Sequence, residues 1–221
     1  MVQLSDYQVL VKANEQCAKD FGIDQLSCIS DPYRETHGFG AIIEYLKDGP
    51  PRSTHPLQDS KDLSKLLKPD PLKSERMRDR IKAAEAYKET SNAEYSILGW
   101  IEGPAAEAAN LRDVTTFMMD LIEDDVFASE LMDVCVEAGI TFARAQVDAG
   151  ADTIGDRVTI AGNMDPVSAI QNATPTSIRG TILNLYEEVG NPYMVNAGCE
   201  IPAGTPTENL RALCEPVPYQ P

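Results

Sequence analysis

Tyr193-Met194-Val195-Asn196-Ala197-Gly198-Cys199-Glu200 runs directly into Ile201-Pro202-Ala203-Gly204-Thr205-Pro206-Thr207-Glu208-Asn209-Leu210 near the end of this 221-residue chain. Residues 193–197 read as a short strand, Gly198 breaks it, and the Pro- and Thr-rich stretch opens a helix over 206–214. A strand followed by a loop and a helix places one thiol, Cys199, at the carboxyl end of the strand. In an α/β barrel that end carries the chemistry.

The same alternation extends upstream. Helices are predicted over 166–171 and 175–189, and short strands over 151–155 and 158–161. The stretch 124–148 forms a long amphipathic helix with Phe127, Leu131, Cys135, Ala138 and Phe142 on its apolar face. Residues 95–101 read as a strand, and Glu102-Gly103-Pro104 turns it into a helix. Residues 70–89, rich in Lys, Arg, Glu and Ala, read as a solvated helix. Residues 41–46 are strand-like and are stopped by Asp48-Gly49-Pro50-Pro51. Residues 25–29 form a buried strand ending in Ser30-Asp31-Pro32, and residues 4–21 form a helix. Short strands alternating with helices argue for a parallel α/β architecture.

One place breaks the alternation. Asp152-Thr153-Ile154 and Val158-Thr159-Ile160 are separated only by Gly155-Asp156-Arg157. Parallel neighbours need a crossover of about a dozen residues. Either the two runs form a hairpin, or one is not a barrel strand, or a βα segment is lost at a junction near 154–157.

The length suits one domain over 1–221. Apolar residues make up 43% and charged residues 24%, as in a soluble globular protein. Thirty-five acidic residues against 19 basic ones leave a net charge of −16. Such a surface repels phosphate backbones and anionic lipid, which argues against nucleic-acid and membrane partners. It also disfavours polyanionic ligands unless cations gather in a pocket. No secretory signal or membrane-spanning run is visible. The cysteines (Cys17, Cys28, Cys135, Cys199, Cys214) are odd in number and scattered. They read as free thiols of a cytoplasmic protein, all but Cys199 serving as packing.

Five stretches, in order, resemble the uroporphyrinogen decarboxylase superfamily. They are Ser30-Asp31 with Gly49-Pro50 downstream, Gly99-Trp100-Ile101-Glu102-Gly103-Pro104, Gln146 to Asp152, Gly162-Asn163-Met164-Asp165-Pro166, and Gly198-Cys199 to Asn209. The resemblance implies a TIM-type (β/α) barrel, here incomplete. The family's first strand and a substrate-gripping loop would lie before Met1, and two βα units would lie between the Asp152 and Gly162 segments. In the zinc-dependent methyltransferases of the family those units carry a His-x-Cys pair. This chain has none, its only histidines being His37 and His55.

By the resemblance, Cys199 falls where the methyltransferases place a zinc-binding thiolate and the decarboxylase has a histidine. Asn110 falls where the decarboxylase has an active-site tyrosine, and Asp31 falls on the family's pocket aspartate. The implied activity is methyl transfer from a methylated corrinoid to a thiol through a zinc-bound thiolate. The implied partners are a corrinoid protein or tetrapyrrole and a small thiol, with homo-oligomerisation expected. Two alternatives stay open: the porphyrin-pathway decarboxylase itself, and a non-catalytic truncated relative.

The candidate catalytic residues are therefore Asp31 and Glu102, the candidate cofactor-binding residues Asn163 and Asp165, and the candidate metal ligand Cys199. Each has a plainer reading. Asp31 can cap the helix after its strand, Glu102 can sit in a solvated turn, and Asn163 and Asp165 can be turn and cap residues. Cys199 can be a free thiol. Trp100 and Tyr193 read as core, and the two histidines as surface or loop residues.

Overall fold

The computed structural model describes residues 6–46, 49–90, 94–151, 160–189, 193–197 and 201–215. The described residues of Met1–Glu15 and Gln25–Asp152 make one compact unit, and those of Gln16–Asp24 and Thr153–Pro221 a second.

Helix α1 (Tyr7–Phe21) is divided between the units after Glu15; in the first unit come strand β1 (Gln25–Ser27) and then a short helix α2 (Arg34–Gly38). Strands β2 (Ile43–Glu44) and β3 (Arg52–Ser53) then pair antiparallel over only two residues each. The longer strand expected over 41–46 does not form. Ile42 and Thr54 instead bond each other, Ile42 N donating to Thr54 Oγ1 at 2.9 Å and Thr54 N to Ile42 O at 3.0 Å. This local loop satisfies backbone groups that a sheet would otherwise have to satisfy.

A 3₁₀ turn at Leu63–Lys65 leads to α3 (Glu75–Thr90), then β4 (Ser96–Leu98). Strand β4 lies parallel to β1, with Leu26 opposite Ile97. The intervening α3 supplies the crossover that a parallel pair needs. Helix α3 is not the solvated helix expected from its charges. Met77, Ile81 and Ala84 recur at helical spacing and are buried, together with Arg76, Arg80, Ala83 and Tyr87.

Three helices complete the unit: α4 (Pro104–Arg112), α5 (Val114–Glu123) and α6 (Asp125–Ala149). Helix α5 was not anticipated. Asp113, at φ +78°, is the only non-glycine at positive φ among the described residues, and there it ends α4 and caps α5 through Thr116 N. The main core joins Leu57, Leu111, Phe117, Phe127, Leu131 and Cys135, so α6 faces α4 and α5 with the apolar stripe its sequence shows.

Helix α6 ends at Gly150, φ +118°, where Gly150 N and Ala151 N bond back to Val147 O and Gln146 O at 2.9 Å each. A side chain here would be strained, and its Cβ would press on Lys88 of α3. Gly150→Ala is expected to cost about 1–2 kcal/mol in chemical denaturation; an unchanged midpoint would contradict this role for the glycine.

In the second unit, strand β5 (Ile160–Met164) leads through a π-helical turn (Pro166–Gln171) to α7 (Pro175–Val189), strand β6 (Tyr193–Ala197) and α8 (Thr207–Leu213). Strands β5 and β6 are parallel and end level, Met164 opposite Ala197. Met164, Ile170, Ile178, Ile182 and Ala212 form the core. Asn209, 1% exposed, donates to Ile170 O at 2.8 Å and Ala173 O at 3.0 Å, fastening α8 to the turn. The expected strand over 151–155 and the questioned junction fall largely on 152–159, outside the described residues. No helix among the described residues is long and apolar enough to cross a membrane.

Candidate functional site

Asp31 and Glu102 each follow the carboxyl end of a strand in the β1–β4 pair, four residues beyond Ser27 and Leu98 respectively. The backbone after β4 is held by Gln146 of α6, itself 1% exposed. Trp100 N donates to Gln146 Oε1 at 2.9 Å, and Gln146 Nε2 donates back to Trp100 O at 3.0 Å. A Cβ on Gly99 would lie 3.2 Å from that oxygen, so the close approach suits glycine. Trp100 itself is 38% exposed, contrary to its reading as core.

Asp31 is buried and paired with the equally buried Arg76 of α3. Its other oxygen, Oδ1, accepts Tyr33 N at 3.0 Å, forming a turn two residues long. Tyr33, not Asp31, occupies the N-cap position of α2, and no side chain caps that helix. The capping reading of Asp31 is thus corrected to a turn. Glu102 receives Arg34 Nη2 at 3.2 Å, while Arg34 Nε reaches Glu35 Oε2 at 3.4 Å. Glu35 Oε1 in turn accepts Glu102 N at 2.9 Å. Burial pushes the Glu102 carboxyl above its ordinary range; Arg34 opposes this, and the Glu35 and Asp31 charges add to it. Asp31 and Glu102 therefore belong to one cluster.

The cluster contains residues that the sequence reading did not single out. Arg34, Glu35, Thr36, Arg80 and Glu107 are all buried. Thr36 Oγ1 donates to Glu107 Oε2 at 3.0 Å. Burial first, and the neighbouring Glu35 charge second, push the Glu107 carboxyl up to about 8, against weaker help to the ionised form from Thr36 and Asn110. Arg80 pairs with Asp79 on the same helix. A signal existed in the apolar stripe of α3: Arg76 and Arg80, four apart, flank Met77 and Ile81 and share their buried face. Glu107 carried no such signal, because its neighbours are alanines on a short helix.

Asn110 donates to Pro32 O at 3.3 Å and accepts His55 Nδ1 on its own carbonyl at 2.7 Å, so it ties the β1 loop to α4. The buried thiol of Cys28 is pushed up to about 12 by its desolvation, and Arg80 and Arg34 only partly offset this. Burial likewise raises the Cys135 thiol, so neither is a poised nucleophile. Cys17, expected to pack, is exposed on α1.

In the second unit, Asn163 lies inside β5, paired with Asn196, and is not a turn residue. Asp165 does cap. Its Oδ1 accepts Val167 N at 3.0 Å and Ser168 N at 2.6 Å, and these bonds pull its carboxyl below the ordinary range. Cys199 lies outside the described residues; in sequence it comes two positions after Ala197, the last residue of β6. Among the described residues no group of three or more His, Cys, Asp or Glu could hold a metal ion. A catalytic zinc takes three protein ligands, so the described residues do not provide a zinc site.

Parallel strands joined by helices, with buried charged side chains gathered after the ends of β1 and β4, define an α/β protein. A family profile described as "Uroporphyrinogen decarboxylase (URO-D)" matches residues 4–155 and 152–218, and the chain belongs to that family. It is 32% identical over 110 residues to a methylcobamide:CoM methyltransferase MtaA of Methanosarcina barkeri, across 50% of this chain and 30% of the relative. It is 33% identical over 85 residues to the same enzyme from the Fusaro strain, across 38% of this chain and 25% of the relative. A solved structure, a methyltransferase from Methanosarcina mazei, superposes with a TM-score of 0.62 at 21% identity, covering 89% of this chain and 58% of its own. The chain thus spans less than a third of the matched curated relatives and somewhat over half of the solved structure.

Proposed function

We propose that the chain belongs to the methyl-transferring side of its family, serving transfer from a methylated corrinoid to a small thiol. The observation that carries this reading is the similarity to methylcobamide:CoM methyltransferases, which spans half of the chain. The sequence adds Cys199 just beyond β6 and Asn110 in place of an active-site tyrosine. We read each parallel strand pair as a fragment of the family's (β/α) barrel, incomplete in this chain, and read a deletion near 154–157. In this reading Glu102, held by Arg34, stands as the hydrogen-bond acceptor toward bound substrate, and Asp31, its two oxygens taken by Arg76 and Tyr33 N, holds Arg76 in place. Cys199 is the chain's own thiolate for zinc in this reading.

The test is zinc content together with thiol-dependent demethylation of methylcobalamin, followed by its absorption spectrum. The expected result is metal near one per chain and thiol-dependent turnover, both lost in Cys199→Ser. Neither metal nor turnover in the wild-type protein would leave the non-catalytic reading standing. That reading draws on the missing His-x-Cys pair. Metal-free decarboxylation of uroporphyrinogen would favour the decarboxylase instead.

A further inference from the structure

A cleft of about 450 Å³ opens between the corner after α2 and the outer face of α3, within the first unit. We propose that it binds a small organic monoanion, a single oxyanion group on a short apolar or planar body. This site goes beyond the methyl-transfer reading and does not depend on it.

Charge supplies the first argument. In a chain of net charge −16, Arg76, Arg78 and Lys82 all line this one cleft. Two acids, Glu75 and Asp79, line it as well. Arg76 is matched by Asp31, and Asp79 by Arg80. That leaves Arg78 and Lys82 against Glu75, a surplus of one positive charge. One surplus charge is neutralised by a monoanion, whereas a polyanion would bring further charge into the cleft without a partner.

The walls supply the second. Ala41, Ile42 and Ile43 give an apolar side, and the Tyr45 ring stands against the Arg76 guanidinium with 5.2 Å to its centroid. An arginine stacked on an aromatic ring offers a flat edge to a planar anion. Two polar atoms here are buried without a hydrogen-bond partner among the described residues, His37 Nδ1 and Tyr45 Oη. Buried polar groups are ordinarily satisfied, and each can donate to an oxyanion in the cleft once its side chain turns toward it. Because Arg76 is also the ion-pair partner of Asp31, occupancy would be felt at that candidate carboxylate as well.

The experiment titrates the intact chain with sodium benzoate, its neutral counterpart benzamide, and inorganic phosphate, by calorimetry. Benzoate is expected to bind saturably, at least tenfold tighter than either benzamide or phosphate. Arg78→Ala combined with Lys82→Ala, both at exposed positions, should weaken benzoate at least tenfold. Should that pair fail to fold, Ile42→Asp tests the same point, since Ile42 is 72% exposed and an acid at the rim should repel the ligand equally. Equal binding of benzamide and benzoate, phosphate as tight as benzoate, no saturable binding, or variants that bind like wild type would each overturn the proposal.

Discussion

Asp31→Ala lowers the stability of the chain by about 3–5 kcal/mol. The reason is the partner it leaves behind. The side chain of Asp31 is 2% exposed and that of Arg76 7%, so the pair is shut away from water. A buried ion pair contributes modestly over an apolar replacement, yet removing one member strands the other charge in a low dielectric. Trp100, the only tryptophan in the chain, lies in the same unit and is half exposed, so its fluorescence reports unfolding in urea. The reciprocal change, Arg76→Met, should cost a similar amount. The double variant Asp31→Leu with Arg76→Met should recover most of the loss, because no isolated charge remains. A loss below about 1 kcal/mol for Asp31→Ala would mean that the pair is hydrated, against its burial.

Glu107→Gln has its largest effect on the pH dependence of stability. In the folded chain the Glu107 carboxyl keeps its proton up to about 8, whereas its ordinary value is 4.5. Above 4.5 the unfolded chain has released a proton that the folded chain still holds. Folding is therefore fully supported below pH 4.5, and this support is lost as pH rises toward 8. At about 1.4 kcal/mol per pH unit, the wild-type chain loses on the order of 4 kcal/mol between about pH 5 and pH 8 from this group. Glutamine keeps the acceptor for Thr36 and cannot ionise, so the variant should be nearly flat over that window and the more stable protein at pH 8. Urea midpoints at both pH values decide it. Parallel wild-type and variant slopes would show that Glu107 ionises freely in the folded state. Glu102, raised in the same direction, leaves a smaller residual slope in the variant.

Much of the secondary structure was legible without coordinates. The helix over 175–189 and the strand over 193–197 fall where turn residues and apolar runs place them. The long helix α6 matches to within a residue at each end, because Asp124 caps it and Gly150 closes it. The strand over 25–29 and the one over 95–101 both exist but are shorter; Ile29, Trp100 and Ile101 beyond them are exposed, and the Trp100 backbone bonds to the Gln146 side chain rather than to a neighbouring strand. Helix α5 is not legible in the sequence because its separation from α4 depends on the unusual backbone of Asp113, which no apolar pattern reports. The charged face of α3 misled the reading, since arginine usually marks solvent and here marks a buried partner for Asp31.

The order of elements, the parallel α/β character, and the arrival of Asp31 and Glu102 at strand ends follow from the chain alone. Backbone periodicity is a local property, set by residues a few positions apart. Which carboxylate is paired, which stays protonated and which arginine is drawn inside depend on contacts across 45, 68 and 71 positions of sequence. Those contacts decide how much water each charge loses, and desolvation is a property of the packed interior that no local pattern encodes.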